Sequence, residues 1–159
     1  MRSETWLADQ LDFLLSKYFS NIKLSNPVEI KWGKEAKFRF GSIRLYPKST
    51  KGTGGTKGIR RIIRRVSFDK EPKKSIITIT SMFKSPKVPI KVVEYTICHE
   101  LCHYAHGFSS SNKRLFRHPH HGGVVNQELT ERGAGDLIGA FKKWLKEYRK
   151  MILQKRTRV

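Results

Sequence analysis

Apolar residues recur at spacings of three and four positions in the N-terminal segment of the chain. Within residues 3–20, seven apolar residues follow this spacing, namely Trp6, Leu7, Leu11, Leu14, Leu15, Tyr18 and Phe19. This spacing predicts an amphipathic helix, because positions three and four apart lie on the same side of a helix. Further helices are predicted over residues 90–106, 124–132 and 136–152, and Gly107 is the expected left-handed residue after the second of the four helices.

Alternating and β-branched patterns between the first two helices predict four strands. They cover residues 28–32, 38–46, 62–68 and 75–80, and the last two are expected to form a hairpin. Gly41 is a candidate β-bulge within the second strand. Because these strands follow one another without an intervening helix, the order predicts an α+β domain with a small antiparallel sheet rather than a wound parallel sheet.

Composition narrows the class of protein. A chain of 159 residues with 38% hydrophobic residues, 9 Phe, 5 Tyr and 3 Trp predicts one folded domain rather than a disordered basic tail. The two cysteines, Cys98 and Cys102, are expected to be small buried side chains, and they are too few for a disulfide scaffold. No apolar run reaches the ~20 residues that span a bilayer, so no membrane partner is expected. The pattern predicts a soluble monomer in the cytoplasm, associated with the nucleoid if the source is prokaryotic.

The charge points to a polyanionic partner. The formal net charge is +20, and residues 48–74 contain ten basic and two acidic residues. Phosphate contacts by Lys and Arg would use this excess, and charge alone leaves single- or double-stranded DNA, RNA and an acidic surface open as partners. The candidate nucleic-acid contacts lie on and beside a glycine-rich loop and are Lys57, Arg60, Arg61, Arg64, Arg65, Lys73 and Lys74.

The residues with the strongest chemical signal lie on the second predicted helix. His99 to His103 form an H-E-x-x-H pattern. On a helix, residues four apart stand side by side, so both imidazoles can bind one Zn²⁺ at about 2.0–2.1 Å. Glu100, about 100° further around the helix axis, is a candidate general base toward a water that attacks a carbonyl carbon.

A catalytic zinc site needs a third protein ligand beside an open position. The loop that follows the helix can return over it and offers His120 and His121. Glu128 or Glu131 on the next helix could instead supply a carboxylate. His106 lies near the same helical stripe but too far along the axis for a compact site with the first two histidines.

The stretch Val92–His103, followed by a loop and His121-Gly122, resembles the SprT-like zinc metallopeptidases. That family combines an H-E-x-x-H helix with a His-Gly ligand step that opens the next helix. An aromatic residue usually follows the glycine by three positions, where this chain has Val125. The resemblance covers about residues 6–135.

The resemblance implies a zincin-like fold, with an N-terminal helix, a small sheet, the H-E-x-x-H helix and further C-terminal helices. It implies a SprT-like domain over residues 1–135, and residues 136–159 are expected to be a basic helix and tail packed on that domain. Carried over to this chain, His99 and His103 are zinc ligands, Glu100 is the general base, and His121 is the third ligand, with His120 as the alternative.

The function expected from these patterns is zinc-dependent endopeptidase activity on proteins bound or crosslinked to DNA. The metal motif predicts hydrolysis, whereas DNA binding rests on charge and on the family resemblance. The main alternative is a nucleic-acid-binding module with a structural zinc site. A second alternative is a peptidase without a nucleic-acid partner.

Overall fold

Four α-helices and a three-stranded sheet form the fold in the computed structural model, which describes residues 1–46 and 73–157. The helices are α1 (Glu4–Tyr18), α2 (Ile90–Ala105), α3 (Val124–Glu131) and α4 (Gly135–Thr157), and the strands are β1 (Val28–Trp32), β2 (Gly41–Tyr46) and β3 (Lys74–Ile79). The predicted α+β class is confirmed. The predicted strand over 62–68 and its hairpin lie outside the described residues.

The sheet is mixed. Its order is β1-β3-β2, with β3 parallel to β1 and antiparallel to β2. Ile77 of β3 stands opposite Ile30 on one side and Ile43 on the other. The prediction of an antiparallel sheet is therefore wrong for the β1–β3 pair. Alternation of apolar residues shows which face of a strand is buried, but it does not show which strand enters the middle of the sheet.

Helix α2 lies at the centre of the domain and contacts α1, α3, α4 and strands β2 and β3. Eleven of its sixteen residues are buried, including Ile97 and Leu101. Leu14 of α1, Ile77 of β3 and Leu137 of α4 belong to the same core. Among the described residues, no helix is both long enough and apolar enough to cross a membrane.

Helix α4 packs on α2 through aromatic contacts. Phe141 stacks on Tyr95 with ring centroids 4.2 Å apart. Trp144 meets Phe83 edge to face at 5.5 Å and Phe40 at 5.4 Å. The C-terminal helix therefore covers one side of α2 and the chain segment that leads into β2.

A buried hydrogen-bond network holds the loop that follows α2. The Tyr104 hydroxyl donates to the Asn26 carbonyl at 2.6 Å. The side-chain Nδ2 of Asn26 donates to Ser75 Oγ at 2.8 Å, and its side-chain Oδ1 accepts from the Ser111 N–H at 2.8 Å. Asn26 thus joins helix α2, strand β3 and the loop at one buried point. As expected, Gly107 takes a positive φ of 79°, and a Cβ there would lie 2.4 Å from the Lys113 carbonyl oxygen.

We predict that Asn26→Ala lowers the free energy of unfolding by about 2–3 kcal/mol, because it leaves several buried polar groups without partners. Ser25→Ala is the matched control, since its hydroxyl makes only a 3.4 Å contact to the Asn26 side chain. Urea unfolding followed by circular dichroism measures both. Equal midpoints for Asn26→Ala and the unmodified protein would contradict the structural role of this network.

Candidate metal centre

Helix α2 places the three motif side chains at one cavity. His99 and His103 lie one turn apart, with ring centroids 4.7 Å apart and nearly perpendicular planes. Glu100 lines the same cavity and is only 6% exposed. The helical spacing predicted from the sequence therefore brings the two imidazoles and the carboxylate together.

His120 completes the group from the loop between α2 and α3. Its Nε2 lies 3.0 Å from Nε2 of His99, and its ring centroid is 4.8 Å from that of His103. One ligand atom from each of the three histidines lies within 4.8 Å of the other two. Residues about twenty positions apart in sequence thus converge on one point.

His121, which the family resemblance favoured as the third ligand, lies outside this group. It is exposed, and its ring faces Phe116 with centroids 6.5 Å apart. The alternative, His120, lies beside His99 and His103 instead. The two side chains leave the backbone in different directions, because His120 has φ −112° and ψ 29° and His121 begins a short 3₁₀ turn.

Glu128, a candidate carboxylate ligand, has a different partner. One of its oxygens contacts Nε2 of His106 and the other lies 2.8 Å from the Arg132 guanidinium. Burial opposes ionisation of Glu128, but the hydrogen bonds from His106 and Arg132 outweigh it and hold its pKa below the ordinary value. This cluster joins the end of α2 to α3. It explains why His106 is buried although it lies apart from His99, His103 and His120.

Burial keeps the two helix histidines neutral. It lowers the pKa of His99 to about 4, with His120 adding to the effect. It lowers the pKa of His103 to about 3, and the neighbouring histidines add to this. Burial raises the pKa of Glu100 to about 7, while Arg39 acts in the opposite direction. A neutral imidazole is the form that binds a metal, so the helix presents its ligands in the binding-competent state.

The group could hold a metal ion. Two ligands bound at about 2.0–2.1 Å to a tetrahedral ion stand about 3.3 Å apart, close to the 3.0 Å between His99 and His120. Within the described ranges, Nδ1 of His99 and Nδ1 of His103 are buried without a hydrogen-bond partner. The rings are oriented by packing instead, His99 against Tyr95 and His103 against Phe108.

The cavity that contains the three histidines has a volume of about 460 Å³. It is bounded by β2, α2 and the loop that follows α2. Several of its residues carry no sequence signal for a site, because they join it only in the folded chain; they include Arg39, Phe40, Tyr95 and Pro119.

Gly41 does not form the predicted β-bulge, because it is the first residue of a regularly paired strand. A Cβ at Gly41 would lie 2.8 Å from Thr96 Cγ2 and 3.0 Å from Glu100 Oε1, so glycine lets β2 approach the carboxylate.

Two of the predicted nucleic-acid contacts fall in the described part of the chain. Lys74 begins β3 and pairs with Glu29 across the sheet at 3.2 Å, with both side chains exposed. Lys73 directly precedes it. The other five, Lys57, Arg60, Arg61, Arg64 and Arg65, lie outside the described residues.

Comparisons of the chain with protein-family models, with curated proteins and with solved structures find no match. The likeness to the SprT-like metallopeptidases therefore rests on the motif residues alone.

We predict that His120→Ala weakens zinc binding more than about 100-fold, since it removes a ligand rather than a supporting residue. His121→Ala is the matched control, because it changes the adjacent histidine and should leave affinity within about twofold. Competition with a chromophoric chelator gives both affinities. A larger loss for His121→Ala than for His120→Ala would show that the loop histidines exchange roles.

Proposed function

We propose that this protein is a zinc-dependent endopeptidase that cleaves proteins held on DNA. The observation that carries the hydrolytic part is the convergence of His99, His103 and His120 in a cavity that also holds the Glu100 carboxylate. Three protein ligands leave a position open for water or substrate. A structural zinc site in a binding module is usually closed by four protein ligands, so the open cavity favours catalysis.

Zinc is the proposed ion because its ordinary ligands include neutral imidazoles, and a set of three histidines is typical of its catalytic sites. When bound, Zn²⁺ supplies a Lewis acid that lowers the pKa of water to about 7 and polarises a carbonyl group. The chain's own contribution is the orientation of three rings by a buried helix and one loop. The exposed position of His120 keeps the group open to solvent.

Glu100 is the proposed general base. Its carboxylate accepts a proton from the attacking water and then delivers a proton to the leaving amine. Gly41 stands against this side chain and limits the space around it. Glu100 itself is not a ligand in this scheme, since the motif places it about 100° from His99 around the helix axis.

Strand β2 offers a site for the substrate backbone. In the described part of the chain it forms an edge of the sheet, and Gly41, Ser42 and Ile43 line the cavity. An extended peptide can pair with such an edge and present a carbonyl carbon to the histidine group. An endopeptidase needs this geometry because its substrate continues on both sides of the bond that is cleaved.

We predict that Glu100→Gln reduces peptide-bond cleavage by about 10²–10⁴-fold while zinc content is unchanged, because the amide cannot accept the proton. Casein cleavage and metal analysis measure the two quantities. Glu94→Gln is the matched control, since Glu94 is on the same helix but does not line the cavity. If Glu100→Gln cleaves as fast as the unmodified protein, or if the zinc-loaded protein cleaves nothing with or without DNA, the endopeptidase proposal fails.

The DNA part of the proposal rests on charge. Helix α4 presents Lys142, Lys143, Lys146 and Lys150 as an exposed lysine stripe on the side away from its buried residues. Glu147 pairs with Lys150 at 3.3 Å and is one of only two acidic residues on the helix, the other being Asp136. The stripe spans about 12 Å at 1.5 Å per residue, which is long enough to contact more than one phosphate.

We predict a steep negative dependence of duplex DNA affinity on salt, and replacing both Lys142 and Lys146 by Gln should reduce its slope by about 1.8. The same change of charge at Lys23 and Lys34, which are exposed outside α4, is the control and should reduce the slope less. Fluorescence anisotropy at several salt concentrations gives the slopes. A flat salt response would leave a peptidase without a nucleic-acid partner, and equal effects of the two double variants would exclude the lysine stripe.

A further inference from the structure

A second cavity lies beside the metal centre and has a different character. Its volume is about 520 Å³, and α4 supplies most of its wall through Leu145, Tyr148, Ile152 and Leu153. Phe38 closes the opposite side. Phe38 is 71% exposed and Leu153 is 61% exposed, so two large apolar side chains face solvent at its mouth. We call this space the apolar groove.

The apolar groove is continuous with the cavity at the metal centre. Phe38 and Phe40 line both cavities, and they lead directly into Gly41 at the start of β2. A peptide paired with the edge of β2 therefore passes from the histidine group onto the groove. The groove is within reach of a side chain a few residues from the bond that is cleaved.

The charged residues around the groove are cationic. Arg149 and Arg156 line it, and Arg39 lines the adjoining cavity at the histidines. No carboxylate is among the described residues that line it. Glu35 is near enough to add to the effect of burial in raising the pKa of Tyr148, but it is not part of the wall. The rim therefore favours an acidic ligand and repels a basic one.

We propose that the apolar groove binds a bulky apolar side chain of the polypeptide substrate, with an acidic residue beside it that pairs with Arg149 or Arg156. This inference rests on the proposed endopeptidase function and names its substrate class. The basic segment 48–74 of the chain itself is a poor occupant, since its ten basic residues would meet the same cationic rim. Burial of one Leu-sized side chain strengthens a complex by about tenfold or more, enough to set a preference.

Digestion of a randomised peptide library, followed by mass spectrometry of the products, tests the preference. We expect Leu, Phe or Met to be enriched at one fixed distance from the cleaved bond, with Asp or Glu next to it. A readable cleavage pattern without an apolar preference at any position would overturn the groove proposal and leave the endopeptidase function intact. Absence of any cleavage by the zinc-loaded protein would overturn both.

Variants of the groove separate binding from chemistry. Leu153→Asp should raise KM for a preferred peptide about tenfold or more with kcat nearly unchanged, and Phe38→Ala should raise KM in the same direction. Leu115→Asp is the matched control, because Leu115 is 60% exposed and lies outside both cavities. Arg149→Glu should shift the neighbouring preference from acidic to basic residues. Unchanged KM values for Leu153→Asp and Phe38→Ala would overturn the proposal.

A second copy of the chain is the competing occupant. Sedimentation analysis of the unmodified protein and of Leu153→Asp decides between the two. A monomer in both cases supports a substrate groove. A dimer that Leu153→Asp dissociates would identify the groove as a contact between copies and overturn the proposal.

Discussion

The burial of helix α2 between the sheet and helix α4 is the contact on which the other features of the fold depend. Eleven of its sixteen residues are buried, and they include Glu100 and His103, polar groups that an apolar core does not tolerate without partners. The fold meets this constraint by leaving a cavity along one side of the helix, where His99, Glu100 and His103 lie. The site is therefore a consequence of how the helix is covered.

A glycine on strand β2 and aromatic residues on helix α4 cover helix α2. Gly41 allows strand β2 to approach Thr96 and Glu100 without a Cβ between them. On the other side, Phe141 stacks on Tyr95 and fixes the distance of α4 from the cavity. The same helix α4 carries basic residues on its outer side, so the element that closes the core also supplies positive charge near the site.

Charge is distributed unevenly along the chain. Helix α2 contains one lysine and two glutamates, whereas the last helix and the segment 48–74 hold much of the +20 excess. Along the sequence, this nearly neutral helix lies between two basic segments, a distribution compatible with the proposed DNA-held endopeptidase. Low charge on the helix would also avoid repulsion of a metal ion, since burial lowers the pKa values of His99 and His103 and both rings are neutral at pH 7.

The sequence by itself determined the helices, the three described strands to within a few residues, and the pairing of His99 with His103, because each depends on spacing along a single element. It did not determine the central place of β3, which depends on contacts between strands distant in sequence. Nor did it show which of His120 and His121 lies beside His99 and His103, since that depends on the dihedral angles of the loop that follows α2. The apolar groove likewise exists only where Phe38 meets helix α4. The spacing of residues along one element can be read from the sequence. The way in which separate elements approach one another depends on packing between residues that are distant in sequence.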